Sequence, residues 1–277
     1  MKAKYLACML ILFFAAQDAW ADPSRMVTLG AGVTETVFAL GMGDNVVGVD
    51  VSSMYPPEAF KKPKVGYVRQ TSAEGIASLK PDLVLASEIL GPPAIRDQLK
   101  AAGLKLELVP AAKSIEDAVT RIKTVGRLLN KSAAAEVLAQ SVNEKVKAAA
   151  EHAKGRAPAR VLFIFVHGGT SMQVSGTSTA ANAMIEAAGA QNAVNEFKGY
   201  KALSAEALLA ANPDVVLATT RSLKAIGGAD GVWASPGISA TKAGKAKALI
   251  VMDDLRLMGF GPRTGEALLE LTRAIYK

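Results

Sequence analysis

Tyr67 and Arg69, in the segment GYVRQ at 66–70, are the residues whose types and spacing point most directly to chemistry. A phenolate oxygen is one of the few protein donors that ligate ferric iron. A phenol ordinarily loses its proton only near about pH 10, so ligation at neutral pH needs the metal and a nearby cation. If residues 65–69 are extended, side chains two positions apart lie on one face. The residues alone favour a half-buried turn tyrosine packed between elements; iron ligation by Tyr67 beside Arg69 is the alternative.

His167 is the second candidate ligand. It follows the β-branched and aromatic run RVLFIFV at 160–166, which predicts a strand. Ligands of open α/β sheets bind at the carboxyl ends of strands, and the glycines at 168 and 169 permit close approach of the backbone. A structural histidine is the alternative. The chain has two histidines in all, which do not make a zinc or manganese site.

Two segments that begin at Ser72 and Ser204, 132 residues apart, are nearly the same: SAEGIASLKPDLVLA and SAEALLAANPDVVLA. Each serine is a predicted N-cap of a short helix, and the first turn of that helix contains Glu74 or Glu206. A Pro-Asp pair then ends the helix and leads into an apolar strand. The repeat predicts two similar lobes, with the two glutamates in equivalent positions.

Strand and helix signals alternate in both halves of the chain, which predicts mostly parallel sheets flanked by helices. Residues 114–154, between the halves, are rich in helix formers with apolar residues at helical spacing. We predict one continuous linker helix there, about 55 Å long at 1.5 Å per residue. The predicted fold class is α/β, with an N-terminal lobe at 22–113 and a C-terminal lobe at 155–277. The strands and helices predicted within these lobes are 26–29, 33–40, 46–49, 93–102, 106–109, 160–166, 179–188, 249–252 and 263–276.

The first 21 residues have the layout of a secretory signal peptide. Lys2 and Lys4 precede an apolar stretch at 5–16, and Ala-Trp-Ala at 19–21 is a small-x-small cleavage signal. We expect this segment to be removed on export to the periplasm; a buried N-terminal helix is the alternative. Cys8 is the only cysteine and lies inside the segment, so we expect no disulfide. No later segment predicts a transmembrane helix.

Composition and motifs argue against two other classes of protein. The formal net charge is +7, but the lysines are scattered and no aromatic-basic motif of a nucleic-acid reader is present. We interpret these lysines as a solvated basic surface; attraction of an anionic small ligand is the alternative. The segment LGAGVTE at 29–35 lacks the third glycine of a dinucleotide fingerprint, and no nucleophile-base set is recognisable. We therefore do not expect an enzyme.

Four segments resemble the periplasmic hemin-binding proteins of bacterial haem ABC importers, within the wider cobalamin- and siderophore-binding group. They are MVTLGAGVTETVFALGMGDNVVGVD at 26–50, VGYVRQTSAEGIASLKPDLVLA at 65–86, GYKALSAEALLAANPDVVLATT at 199–220 and LRLMGFGPRTGEALLEL at 255–271. The resemblance covers nearly the whole chain after the signal segment. It implies a class III periplasmic binding protein, in which a cleft between the lobes holds the ligand.

The resemblance also implies the ligand and the roles of particular residues. Ferric b-type haem is the expected transported ligand, with Tyr67 as axial ligand and Arg69 supporting it. Some members of the family take two stacked haems, the second on a C-lobe histidine, and His167 matches that position. Glu74 and Glu206 match the glutamates that pair with arginines of the two subunits of the ABC permease dimer.

Several expectations remain open at this point. A ferric siderophore or cobalamin is the alternative ligand for the same architecture. We expect a monomer without a transmembrane anchor. Arg221 and Arg263 are further candidates for contacts with ligand carboxylates, and Met54 with Tyr55 for apolar contacts.

Overall fold

The structure is a computed structural model that describes residues 23–166 and 172–277. The signal peptide predicted at 1–21 and His167 lie outside the described residues. Within these residues, no helix has the length and apolar character needed to cross a membrane.

The N-terminal lobe is built on a four-stranded sheet in the order β2-β1-β5-β6, and every neighbouring pair is parallel. Two strands of two residues each, β3 and β4, form a separate antiparallel hairpin. The elements of this lobe are β1 (Met26–Leu29), α1 (Ala31–Ala39), a 3-10 helix (Gly43–Asn45), β2 (Val46–Val49), α2 (Pro57–Phe60), β3 (Gly66–Tyr67), β4 (Gln70–Thr71), α3 (Ala73–Ala77), β5 (Leu83–Ser87), α4 (Ala94–Ala101) and β6 (Leu106–Val109).

The C-terminal lobe contains a mixed sheet. Its path is β10-β8-β7-β11-β12, with β9 paired to β7. The prediction of parallel pairing holds for β7, β9, β11 and β12, whereas β8 and β10 run antiparallel to their neighbours. The elements are β7 (Arg160–Phe165), β8 (Gln173–Ser175), α7 (Ala180–Ala187), β9 (Gln191–Asn192), β10 (Tyr200–Lys201), α8 (Ala205–Ala211), β11 (Val215–Thr219), α9 (Thr220–Ala225), α10 (Gly228–Ala234), α11 (Lys242–Ala246), β12 (Leu249–Met252), α12 (Asp254–Met258) and α13 (Thr264–Ile275).

Two helices connect the lobes, α5 (Ile115–Leu128) and α6 (Ser132–Ala153). The prediction of one continuous helix over 114–154 is therefore wrong. The N-terminus was predicted correctly, because Ser114 and Asp117 form a reciprocal capping box at the start of α5. The predicted lobe boundaries, 22–113 and 155–277, flank this helix pair and stay predictions.

The break between the two helices is a Schellman motif. Asn130 has a left-handed φ of 54°, the Lys131 N–H donates to Gly126 O at 2.7 Å, and the Asn130 N–H donates to Arg127 O at 3.4 Å. Asparagine tolerates this conformation better than most residues with a side chain. The chain then turns back, so that a methyl group added at Gly126 would collide with Cβ of Ala135 in α6.

The strands separate three apolar clusters. In β5, Leu83 and Leu85 belong to a cluster that continues through the linker helices into the C-terminal lobe, whereas Val84 and Ala86 belong to the outer cluster of the N-terminal lobe. The central strand of the other lobe alternates in the same way between the shared cluster and its own outer cluster. Both faces of each sheet are therefore buried, which explains the continuous apolar runs in their sequences.

The 132-residue repeat is a structural repeat with a second feature that the sequence did not suggest. Asp82 accepts a hydrogen bond from the Arg25 N–H at 3.1 Å, and the Arg25 guanidinium donates to carbonyls just beyond the end of α3. Asp214 likewise accepts from the Arg160 N–H at 2.9 Å, and Arg160 donates to the last carbonyl of α8. In each lobe, the same pair of an aspartate and an arginine thus connects the repeat helix to the central strands through hydrogen bonds.

Candidate functional site

A cleft of about 600 Å³ lies between the lobes, within the range of small-molecule sites. Most of the residues that line it from the N-terminal lobe lie at or after the ends of β1, β2, β5 and β6, and those from the C-terminal lobe end β7 or follow β11 and β12. Tyr67 and Val68 of the β3-β4 hairpin and Arg121 of α5 complete the lining. The carboxyl ends of parallel strands from both sheets therefore converge on one space, where open α/β sheets bind ligands. The lining residues are Gly30, Ala31, Gly32, Val33, Val51, Ser52, Met54, Tyr67, Val68, Ser87, Ile89, Ala112, Arg121, Phe165, Arg221, Asp254, Leu255, Met258 and Gly259.

A buried aspartate fixes the N-terminal rim of the cleft. The carboxylate of Asp50 accepts from the Gly30 N–H at 2.8 Å, from the Ser53 hydroxyl at 2.6 Å and from the Ser52 N–H at 3.0 Å. These bonds tie the loop after β2 to the start of α1. Gly30 has a φ of 108°, a conformation that side chains disfavour, so this turn depends on glycine.

Tyr67 lies on the N-terminal wall of the cleft with 42% of its surface exposed. It belongs to the β3-β4 hairpin, which is held by hydrogen bonds to the loop after β5: the Gly91 N–H donates to Val68 O at 2.9 Å, and the Thr71 N–H donates to Gly91 O at 3.2 Å. The structure thus places the predicted ligand where a phenol oxygen can meet a bound molecule. Its role as an iron ligand stays a prediction.

Arg69 differs from the sequence expectation. The expected proximity of Arg69 to the phenol assumed an extended chain over 65–69, but Val68 and Arg69 form the two-residue turn between β3 and β4. The alternation that would place Arg69 beside the phenol therefore does not apply. Its backbone packs against Gly91, and Arg69 is exposed and is not among the described residues that line the cleft. Support of Tyr67 by Arg69 stays a prediction.

Exposed apolar residues surround Tyr67. Val51 and Met54 are both more than 40% exposed and line the same wall. Across the cleft, the Arg221 guanidinium lies 3.2 Å from Sδ of Met54 and 3.9 Å from the Asp254 carboxylate. Exposed apolar surface grouped in a cleft is typical of a ligand site. The two walls would suit a ligand with an apolar body and charged or polar edges.

The aromatic cluster behind the C-terminal wall includes one cleft residue. Phe165 ends β7, lines the cleft and lies 5.2 Å from the ring of Tyr200, measured between centroids. Burial raises the pKa of Tyr200, although a hydrogen bond with Thr179 opposes this, so Tyr200 is a neutral packing residue at physiological pH. His167 follows two residues after Phe165, outside the described residues, and its role as a second ligand stays a prediction.

Arg121, in the middle of α5, is a cleft residue that sequence reasoning missed. It is 6% exposed, and its guanidinium donates to three backbone carbonyls, Pro110 O, Gly259 O and Phe260 O, each at 3.3 Å. A sequence signal was present, because Arg121 lies three residues after the buried Ala118 and so falls on the apolar face of the helix.

The other basic candidate, Arg263, has a different role. It forms an ion pair with Glu35 of α1 at 2.9 Å, and its guanidinium lies 3.4 Å above the Tyr55 ring. Burial alone lowers the pKa of Arg263, but hydrogen bonding and attraction from Glu35 outweigh it and raise the pKa above its usual value. Arg263 and Tyr55 therefore join the lobes and are not among the described residues that line the cleft.

Glu74 and Glu206 occupy equivalent exposed positions, each second in its helix after a serine N-cap. Ser72 accepts from the Gly75 N–H at 2.9 Å, and Ser204 accepts from the Ala207 N–H at 3.2 Å. Hydrogen bonds from its own backbone N–H and from the Ser204 hydroxyl lower the pKa of Glu206, so this carboxylate stays ionised. Their pairing with a permease stays a prediction.

A site for a bare metal ion does not form in the described part of the chain, where no group of three or more histidine, cysteine, aspartate or glutamate side chains converges. The polar side chains that line the cleft, such as Tyr67, instead stand singly among apolar residues.

Solved structures of high similarity support the fold and the resemblance. The periplasmic heme-binding protein RhuT from Roseiflexus sp. RS-1, in apo form, is 42% identical with a TM-score of 0.86, over 91% of this chain and 98% of that chain. The periplasmic heme-binding protein BhuT in complex with two hemes is 41% identical with a TM-score of 0.85, over 91% and 97%. The predicted α/β class and the resemblance to haem-binding proteins are confirmed.

Curated relatives broaden the range of ligands. The ABC transporter substrate-binding lipoprotein YvrC of Bacillus subtilis (strain 168) is 33% identical over 92% of this chain and 81% of its own length. A cobalamin-binding protein of Halobacterium salinarum (strain ATCC 29341 / DSM 671 / R1) is 34% identical over 71% of this chain and 54% of its own length.

The periplasmic binding protein family matches residues 26–255, which span both sheets and the helices between them. Among the relatives, YvrC is named as a substrate-binding lipoprotein of an ABC transporter, and the structural neighbours RhuT and BhuT are named as periplasmic heme-binding proteins. With the cleft formed where the carboxyl ends of the two sheets meet, the chain belongs to the periplasmic binding protein family.

Proposed function

We propose that the protein captures ferric haem in the periplasm and delivers it to an ABC importer, with Tyr67 as the axial ligand of the iron. The observation that carries the proposal is the exposure of Tyr67 on an apolar wall of the interlobe cleft. Tyrosine is among the side chains that hold haem iron, and a flat apolar macrocycle would bury the exposed side chains around it.

Similar proteins support the same ligand. Two structural neighbours above 40% identity, RhuT and BhuT, are periplasmic heme-binding proteins, and the BhuT structure holds two hemes. We extend this stoichiometry to the present chain as a further part of the proposal, with His167 as ligand of a second haem. The permease dimer is the proposed partner, and Glu74 and Glu206 are the proposed contacts with it.

Cobalamin is the second candidate, because the relative from Halobacterium salinarum that matches 71% of this chain is a cobalamin-binding protein. A ferric siderophore would fit the same architecture. Neither ligand needs an axial tyrosine, so the spectrum of the bound complex distinguishes them from haem. Haem is favoured because Tyr67 would have no assigned task in the alternatives.

The test is titration of the exported chain with hemin, cyanocobalamin and a ferric hydroxamate in parallel. We expect hemin alone to give a saturable change, with a shifted Soret band and the charge-transfer band of a tyrosinate complex. A break at two equivalents that falls to one in His167→Ala would support paired haems. Saturable binding of cyanocobalamin with no spectral change for hemin would reject the proposal and favour the second candidate.

A further inference from the structure

Arg121 is a buried cation at the cleft that forms no ion pair in the described part of the chain. It is 6% exposed and lines the cleft, yet the ion pairs formed by the described residues do not include it. All three of its hydrogen-bond acceptors are backbone carbonyls. A buried charge normally needs a partner of opposite sign, so an anion in the cleft would complete this site.

One nitrogen of the guanidinium remains open to the cleft. Nε and Nη1 make the three bonds to carbonyls, and Nη2 makes none to the described residues. In that part of the chain, the fully enclosed side-chain nitrogens and oxygens that lack partners belong to Arg96, Arg256 and Thr264. Nη2 is not among them, and Arg121 contributes to the cleft wall. Its two N–H donors are therefore available to a bound molecule.

The surroundings of Arg121 add to the positive potential. Helix α1 begins against it: a methyl group added at Gly32 would collide with Nη1 and would lie 2.7 Å from Gly259 O. The first turn of this nine-residue helix lines the cleft and has no side-chain cap. Because a helix N-terminus carries partial positive charge, it attracts an anion to the same place as Arg121.

The charge on Arg121 persists at neutral pH. Burial lowers the pKa of Arg121 to about 10, and the negative charge of Asp117 opposes this shift. Arg221, the other arginine of the cleft, is half-exposed and lies near the carboxylate of Asp254. Among the described residues, Asp117 therefore acts on Arg121 without forming an ion pair with it, whereas Arg221 forms one with Asp254.

We propose that Arg121 binds a carboxylate of the ligand through Nη2, so that the cleft selects ligands that carry an acidic group. The inference rests on the proposed function, and for haem the group is a propionate. A macrocycle whose peripheral acids are amides or esters offers no anion to this guanidinium. Arg121 would then contribute to the choice between haem and an amidated tetrapyrrole.

The test compares ferric protoporphyrin IX with its dimethyl ester, which has the same iron and macrocycle but no carboxylate. We expect the wild type to bind the ester about 10- to 100-fold more weakly, the effect of losing a charge-assisted hydrogen bond. In Arg121→Met the ratio of the two dissociation constants should fall to about one. A purely structural role would weaken both ligands equally and leave the ratio unchanged.

Arg127→Met is the matched control, because Arg127 lies on the exposed side of the same helix and should keep the wild-type ratio. Equal affinities of the wild type for the two porphyrins would overturn the inference while leaving haem capture intact. A ratio of the two dissociation constants in Arg121→Met that equals the wild-type ratio would overturn the inference as well. If neither porphyrin binds the wild type, the proposed function fails and this inference fails with it.

Discussion

Arg263, just before α13, donates from Nε and Nη2 to the two carboxylate oxygens of Glu35 on α1, both at 2.9 Å. The Arg263 N–H also donates to Glu35 at 3.3 Å, and the guanidinium stacks on Tyr55. Glu35 is 6% exposed, so the pair is largely removed from water. This contact joins α1 of the N-terminal lobe to the start of α13, and neither partner is among the described residues that line the cleft.

Breaking this pair on one side should be costly. We expect Glu35→Gln to reduce the free energy of unfolding by about 3–5 kcal/mol, because Arg263 would keep a desolvated charge without its counter-charge. Urea denaturation followed by circular dichroism measures the loss as a lower midpoint at an unchanged slope.

The double variant Glu35→Gln with Arg263→Met provides the control for this prediction. It removes both charges and should recover part of the loss, since no orphaned ion remains. The decrease in the free energy of unfolding of the double variant could instead equal the sum of the decreases in the two single variants. In that case the carboxylate and the guanidinium are not coupled, and the ion pair does not hold the lobes together.

Tyr67→Phe should weaken hemin binding by at least about 10-fold, the lower end of what loss of a supporting contact to a metal ligand costs. The ring still packs on the hairpin, so only the oxygen is lost. Absorption titration should show a displaced Soret band and no tyrosinate charge-transfer band. Tyr55→Phe is the matched control, because Tyr55 is not among the described cleft residues. An unchanged spectrum in Tyr67→Phe would remove Tyr67 from the iron.

Gly32→Ala should destabilise the protein by about 1–3 kcal/mol, the usual effect of inserting a methyl group into a filled space. The added methyl would lie 2.7 Å from Gly259 O and would collide with the Arg121 guanidinium. We also expect weaker hemin binding, because the change would displace the start of α1 at the cleft. Thermal unfolding and hemin titration measure the two effects.

Gly75→Ala is the comparison for Gly32→Ala. Gly75 is also helical, and a methyl group there meets only the Ser72 hydroxyl oxygen at 3.2 Å. Its melting temperature should stay close to the wild-type value. Equal melting temperatures for the two variants would show that the close approach at Gly32 does not constrain the lobes.

Charge reversal of the paired glutamates, Glu74→Lys with Glu206→Lys, should abolish haem import while leaving hemin affinity unchanged. Both carboxylates are exposed, and neither is among the described residues that line the cleft. Uptake into cells or vesicles that carry the cognate importer measures the first effect, and absorption titration measures the second.

Glu116 offers a closely matched control for the docking prediction. It is exposed and second in its helix after a serine N-cap, as Glu74 and Glu206 are, but it belongs to the linker helix α5. Glu116→Lys should therefore import haem normally. Normal import by the double glutamate variant would reject the docking role.

Much of the fold could be predicted from the sequence because its strands are short apolar runs between turn residues. Four strands, including β1 and β12, begin and end at the predicted residues. The β3-β4 hairpin was missed because strands of two residues show no periodicity. The break at Asn130 was missed because its neighbours are good helix formers, and the left-handed conformation of one asparagine leaves no pattern.

The site was predicted less completely, for reasons of geometry. Tyr67 could be found because phenolate oxygen is one of the few protein donors for ferric haem and because the family resemblance marked its position. The relative orientation of the Tyr67 and Arg69 side chains depends on the turn after Tyr67. The alternation of side chains along a strand does not apply to residues in a turn. Arg121 meets its acceptors across 138 and 139 residues of sequence, so its burial depends on tertiary packing.

The Schellman break changes the mechanics of the connection between the lobes. A single helix of 41 residues would be a slender rod. Instead, α5 and α6 pack against each other, because the chain turns back at the break. Helix α13 also packs closely on α6, since a methyl group added at Gly265 would lie 2.6 Å from Val142 O. Three helices fixed side by side behave as a beam, whose resistance to bending rises steeply with its depth. We expect the radius of gyration to be nearly equal with and without ligand. Release of the ligand would then require force from a docked transporter and would not follow from spontaneous opening of the lobes.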